Sequence, residues 1–228
     1  MKKFSRCLIA LSFYFVLNSS IFANRWTPEM MIQYQRLSST AISEDGKFIA
    51  YEVSTPILES EKSEFHSQIW LLSTYDESRF QLTQGKTSSS QPKFSPDNKW
   101  LGFLSARGEK KTKQLFIISV SGGESIQITD VASSVNRFDW SPDAMKIAFT
   151  MADPETDDDK KRKKEKRDWK IVDEDYKYNH LYVVSIEEIE EPRQLTKGDM
   201  NVGSFDWSPD GAKIVYDHTE IPTANSSS

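Results

Sequence analysis

The sequence predicts an all-β chain: an incomplete β-propeller of four-stranded antiparallel blades, about three and a half of them, preceded by a short helix and a signal peptide. Three observations carry this. A turn joined to a strand occurs four times, as Ser43-Glu44-Asp45-Gly46-Lys47-Phe48-Ile49-Ala50-Tyr51, then from Ser95-Pro96-Asp97-Asn98, Ser141-Pro142-Asp143-Ala144 and Ser208-Pro209-Asp210-Gly211. The four starts lie 52, 46 and 67 residues apart, close to the length of one four-stranded blade, with an insertion in the last interval. The stretches between starts repeat as well: a second apolar run (Gln68–Leu72, Gln114–Ile118, His180–Val184) and a short closing one (Gln81-Leu82-Thr83, Gln127-Ile128-Thr129, Gln194-Leu195-Thr196).

The chain opens on a basic, then apolar stretch. Lys2, Lys3 and Arg6 precede the eleven-residue apolar run Cys7–Leu17, and Ile21-Phe22-Ala23 offers a small residue for cleavage. Residues 1–23 are therefore expected to be a signal peptide cut after Ala23, which implies a periplasmic or secreted product. An uncleaved N-terminal anchor is the alternative reading of the same run. Cys7 is the only cysteine, so the mature chain would have no disulfide, thiolate metal site or cysteine nucleophile.

Residues 24–38 form an N-terminal segment. Thr27-Pro28-Glu29 reads as a helix start, and Met30, Met31, Tyr34 and Leu37 recur at helical spacing, predicting about three turns packed on the first blade. The partial propeller then runs over 39–228, with blades at about 39–85, 90–130, 136–197 and an incomplete one at 203–228. In each S-P-D-G/N turn, proline sets φ, Asp bonds back to the backbone and Gly or Asn accepts a positive φ.

Two stretches depart from the repeat. Thr55–Ser67 is read as a long polar connection holding His66, Glu59, Glu61 and Glu64, with nothing to fix a metal geometry. The charged insertion 153–175 passes from Asp157-Asp158-Asp159 through Lys160 to Arg167 and back to Asp173-Glu174-Asp175. A basic run can contact nucleic acid, but here acids flank it and no aromatic residues interleave as stacking platforms, so a solvated excursion is expected.

Composition agrees. Apolar residues make up 37% of the chain and aromatics 12%, enough for stacked sheets. The formal charge of −5 falls to −8 without Lys2, Lys3 and Arg6, which gives no reason to expect nucleic acid. Three and a half blades leave the outer faces of the terminal blades uncovered, so either the polypeptide continues or copies associate as a homo-oligomer.

The repeated S-P-D-G/N strands, the closing Leu-Thr pairs, the Trp26-Thr27-Pro28-Glu29-Met30 segment after a leader, and Val172–Val184 together resemble the N-terminal β-propeller of exported prolyl oligopeptidase-family serine peptidases, of the dipeptidyl or acylaminoacyl kind. The resemblance implies a downstream α/β-hydrolase domain as partner, short peptides as substrates, and a propeller that caps and gates the active site. The same repeat occurs in Tol-like and WD-like propellers, so a non-enzymatic interaction module is the alternative.

Catalytic residues are assigned to none of these 228 positions, nor are cofactor or metal ligands. No G-x-S-x-G elbow is present, and Ser105, in Leu104-Ser105-Ala106-Arg107-Gly108, lacks the preceding glycine. The three histidines, His66, His180 and His218, come with no sequence sign of a triad. The chain is expected to be catalytically inactive as it stands.

Overall fold

The computed structural model describes residues 27, 30, 33–59, 62–165 and 177–220. The chain divides into two units, Met1–Tyr34 and Gln35–Ser228. In the first, Met30 N donates to Thr27 Oγ1 at 3.3 Å, the bond an N-cap makes. Residues 28, 29, 31 and 32 of the expected helix, the leader 1–23, residues 166–175 of the insertion and the tail 221–228 lie outside the described residues, while 34 and 35 are not helical.

Among its described residues the second unit holds three four-stranded sheets and one two-stranded sheet. The first blade is β1 (Arg36–Ile42), β2 (Phe48–Glu59), β3 (Lys62–Ser73) and β4 (Arg79–Gln81), hydrogen-bonded in that order. The second is β5 (Ser89–Phe94), β6 (Trp100–Ser105), β7 (Gln114–Ser119) and β8 (Ile126–Gln127). The third is β9 (Val135–Trp140), β10 (Lys146–Ala152), β11 (Asn179–Ser185) and β12 (Arg193–Gln194). β13 (Asn201–Trp207) and β14 (Ile214–Thr219) make the half blade. Every neighbouring pair is antiparallel, as hairpin connections require.

The four repeated turns share one set of bonds. The serine hydroxyl donates to the aspartate at 2.8 Å (Ser43–Asp45), 2.6 Å (Ser95–Asp97), 2.5 Å (Ser141–Asp143) and 2.6 Å (Ser208–Asp210). The same serine oxygen accepts the amide of the residue five on, at 2.9–3.0 Å. The fourth turn residue is left-handed in each: Gly46 (φ 68°), Asn98 (φ 60°), Ala144 (φ 60°) and Gly211 (φ 67°).

Alternation along the second strand gives each sheet two apolar faces. Leu101 and Phe103 join Ala50, Ile69 and Leu71 of the first blade, while Leu104 joins Phe138, Trp140, Ile147 and Phe149 of the third. A third cluster, Ala148, Leu181, Val202 and Phe205, seats the half blade. The cores thus lie between blades, and burying a Phe such as Phe103, Phe138 or Phe149 completely contributes about 1.5–3 kcal/mol.

Two local expectations are corrected, and a third element was not foreseen. Leu37 belongs to β1 and is 69% exposed, because the first strand begins at Arg36. Thr55–Ser67 is no loop: the β2–β3 ladder continues unbroken from Phe48↔Ser73 to Glu59↔Lys62, a long hairpin with Arg36 stacked over Phe65 at 4.5 Å. The ladder satisfies the backbone groups of this polar stretch, so it did not have to be a loop. Within the charged insertion, Asp157–Lys164 forms a helix, α1. Thr156 and Asp159 cap it reciprocally, Asp159 N donating to Thr156 Oγ1 (3.2 Å) and Thr156 N to Asp159 Oδ2 (2.7 Å). Lys177 Nζ and Arg162 Nη2 then reach Asp159 at 2.6 and 2.7 Å, tying the helix to the root of β11. The Lys177 ammonium and the Thr156 amide hold the Asp159 carboxyl far below the usual carboxylate range.

Candidate functional site

The first strands adjoin in turn, β1 against β5 and β5 against β9, while β13 packs against β11 and reaches β9 through Trp207, and these four strands form the inner wall. Each carries a bulge near its start: between Leu37 and Thr40, between Ser90 and Lys93, at Asn136, and between Val202 and Phe205. A bulge leaves residues out of the ladder and turns their polar groups toward the neighbour. Gln91, at φ 55°, is the sharpest case.

The freed groups are joined into a belt. Gln91 N donates to Glu52 Oε2 (3.4 Å), and Gln91 Nε2 to the Asn136 carbonyl (3.3 Å). Asn136 Nδ2 donates to Asn179 Oδ1 (2.9 Å), Asn179 Nδ2 to the Val202 carbonyl (2.7 Å), and Asn179 N to Asn201 Oδ1 (3.1 Å). Side-chain amides thus stitch the second blade to the third and the third to the half blade along one rim of the wall, and the Glu52 carboxylate, accepting the Gln91 amide, joins the first. At Gly203 a Cβ would collide with Asp217 Oδ1, which accepts the Ser204 amide at 2.8 Å. Apart from the Glu52 carboxylate, the belt consists of neutral amides, which offer donors and acceptors of the kind peptide main chain matches.

The residues that the sequence offers as candidates for chemistry occupy other places, and one group imitates a catalytic array. Thr196 Oγ1 lies 3.3 Å from His180 Nδ1, and His180 Nε2 lies 3.7 Å from Asp153 Oδ1. The neighbouring blades explain it. In the first, Thr83 Oγ1 donates to Gln68 Oε1 (2.6 Å) and accepts Ile69 N (2.9 Å). In the second, Thr129 Oγ1 donates to Gln114 Oε1 (2.9 Å) and accepts Leu115 N (2.9 Å). Thr196 likewise accepts Leu181 N (3.0 Å), with His180 in the glutamine's place. All six side chains are buried, so the motif is a clasp between the third strand and the end of the fourth, with no room for a reacting group.

Ser105 is buried, donates to the Ser88 carbonyl (2.8 Å) and accepts Arg107 Nε (3.2 Å). His66 sits in β3 beside Gln68, their Nε2 atoms 3.1 Å apart, and His218 lies in β14, tilted against Tyr216. Among the described residues no group of three or more His, Cys, Asp or Glu is placed to hold a metal ion. The sequence does not announce the amide belt. The available signal is faint: an amide three or four residues before Phe94 and Trp140.

Residues 46–114, spanning most of the first two blades, match the family described as acylamino-acid-releasing enzyme, N-terminal domain. The propeller is similar to the N-terminal domain of acylaminoacyl peptidases. It is 32% identical over 187 residues to the uncharacterized peptidase YuxL of Bacillus subtilis, covering 75% of this chain and 28% of that protein. It is 26% identical over 125 residues to dipeptidyl-peptidase 5 of Porphyromonas endodontalis, covering 54% of this chain and 17% of that one. In fold, the propeller matches Pyrococcus horikoshii acylaminoacyl peptidase with TM-score 0.58 at 19% identity, over 78% of this chain and 29% of that chain. A TolB-like structure from Agrobacterium tumefaciens gives TM-score 0.50 at 21% identity, over 79% and 58%. The chain spans less than a third of the length of the curated relatives it matches.

Proposed function

We propose that this chain is the N-terminal propeller portion of an exported serine peptidase acting on short peptides, where it caps and gates the entrance to an α/β-hydrolase active site. The observation that carries the reading is the family match over residues 46–114 in a chain whose relative over 187 residues is named a peptidase. The basic and apolar leader 1–23 supports export to the periplasm or beyond. The amide-lined inner wall suits a filter, because it can hydrogen-bond a passing main chain without cleaving it. In the intact protein the chemistry would be acyl transfer through a serine activated by a histidine base, both on the downstream domain.

The test is to read the gene past codon 228 and express the whole product. A G-x-S-x-G serine followed by Asp and His, with fluorophosphonate labelling at that serine and release of nitroaniline from dipeptidyl or N-acyl-aminoacyl nitroanilides, is expected. The isolated chain should neither label nor hydrolyse. A stop codon after Ser228 in an intact locus refutes the reading. The second reading, a non-enzymatic interaction propeller, rests on the TolB-like fold match, and that outcome would favour it.

A further inference from the structure

Arg107 leaves β6 and folds back over the rings of Phe103 and Phe116, its Cζ 5.1 and 5.4 Å from their centroids. Its guanidinium is held by three serine oxygens: Nε to Ser105 (3.2 Å), Nη1 to Ser125 (3.1 Å) and Nη2 to Ser89 (2.7 Å). Of five N–H groups this uses three and leaves one on each terminal nitrogen. No carboxylate of the described residues lies within ion-pairing distance. Glu52, in the same junction between the first and second blades, is engaged by Gln91 N instead. The Ser89 and Ser125 hydroxyls accept from the guanidinium; Ser89 is completely buried, while the half-buried Ser125 keeps a proton to give. Ser105 has already given its proton to Ser88.

A half-buried cation surrounded by neutral acceptors is costly unless an anion completes it. Burial accordingly draws the Arg107 pKa below its ordinary value. The repeat sharpens the contrast: at the same step of the third blade stands Asp153, whose carboxylate accepts Tyr178 N at 3.2 Å. Arg107 is the reverse in sign and has no such partner.

We propose that Arg107, with the Ser125 hydroxyl beside it, is a receptor for a polypeptide carboxylate at the junction of the first two blades. The two unused guanidinium N–H groups and the Ser125 hydroxyl proton are all donors, and a planar carboxylate is the anion that a guanidinium fork takes with two parallel bonds. The carboxylate comes either from the free C-terminus of a short peptide or from an acidic side chain. The inference stands whether or not the chain belongs to a peptidase.

The test follows the Arg107 Nε–Hε resonance in the 15N-labelled 228-residue chain on titration with N-acetyl-Ala-Ala, its C-terminal amide, and N-acetyl-Asp-Ala-amide. Saturable shifts are expected with a carboxylate-bearing peptide, with at least roughly tenfold weaker binding of the Ala-Ala amide. A response to the first peptide identifies a C-terminus as the source, a response to the third alone an acidic side chain. In the variants, where binding is read from the Ser125 backbone amide resonance, Arg107→Gln abolishes it, and Arg107→Lys, which keeps the charge and the stem over the two rings but loses the fork, weakens it about tenfold. Equal binding of the amide, unchanged binding in the folded variants, or no saturable shift with any peptide would each overturn the proposal.

Discussion

Gly102 lies directly beneath the Phe138 ring: a Cβ built on it would stand 2.8 Å from Phe138 Cε2 and 3.3 Å from Trp140 Nε1. The same step of the repeat is Ala50 in the first blade and Ala148 in the third, both completely buried. Small residues here set how closely one blade approaches the next. In the half blade the position is Val215, 70% exposed.

Gly102→Val should therefore force the second and third blades apart and lower stability by about 1–3 kcal/mol, the usual cost of overpacking. A urea titration would show a lower midpoint. An unchanged midpoint would mean that the junction is loose.

Trp140 Nε1 donates to the Lys93 carbonyl at 3.1 Å, and Trp207 Nε1 reaches the Asp139 carbonyl at 3.5 Å, so successive blades are latched by an indole. Trp140→Phe keeps most of the buried ring and removes the donor. A loss of about 1 kcal/mol is expected, read from the same titration, with a smaller loss for Trp207→Phe because its bond is longer.

Thr129→Val leaves Leu115 N and Gln114 Oε1 without their hydroxyl partner inside the core. This should cost about 1–3 kcal/mol. Thr196→Val is expected to behave in the same way, which distinguishes a clasp from a reacting threonine: melting shifts, while the wild-type chain shows no covalent labelling at Thr196 by mass spectrometry.

The turn aspartates predict acid lability. The Ser43 hydroxyl, then Lys47, bring the Asp45 carboxyl down to about 2, and the Ser141 hydroxyl and Met145 amide lower Asp143 in the same way. Asp210 is lowered by the Ser208 hydroxyl and the Ala212 amide. Each folded-state value lies below the unfolded value near about 4, so these turns stabilise the fold fully above that pH and lose the contribution as pH falls through the folded-state values, about 2 for Asp45. Melting temperature should be flat above about pH 5 and fall below about pH 4. Ser141→Ala should flatten that fall, and an identical acid profile in the variant would remove Asp143 from the explanation.

Much of the fold was legible because its signals are local. Ser95-Pro96-Asp97-Asn98 closes its own ring of hydrogen bonds, and Leu101 and Phe103 alternate with Trp100 and Leu104 whatever lies across from them. The β2–β3 hairpin was not, because its polar residues resemble a loop until strand meets strand. The helix at Asp157–Lys164 was hidden by a charge pattern with hardly any apolar face, and is secured by Thr156, Asp159 and Lys177 instead of by burial. The belt has no local signature, because Gln91, Asn136 and Asn179 are 45 and 43 residues apart and meet only once the blades are side by side.

The amino-acid order alone determined how the blade repeat is spaced over these residues, where each repeat turns and which face of each strand is apolar, since these depend on neighbours within a few residues. The tertiary structure decided what the polar residues are for. Only blade against blade turns bulged amides into a belt, shows His180 to be a substitute for glutamine in a repeated clasp, and leaves the Arg107 guanidinium among serines without a carboxylate. Those outcomes depend on contacts between distant segments, whose geometry no local pattern encodes.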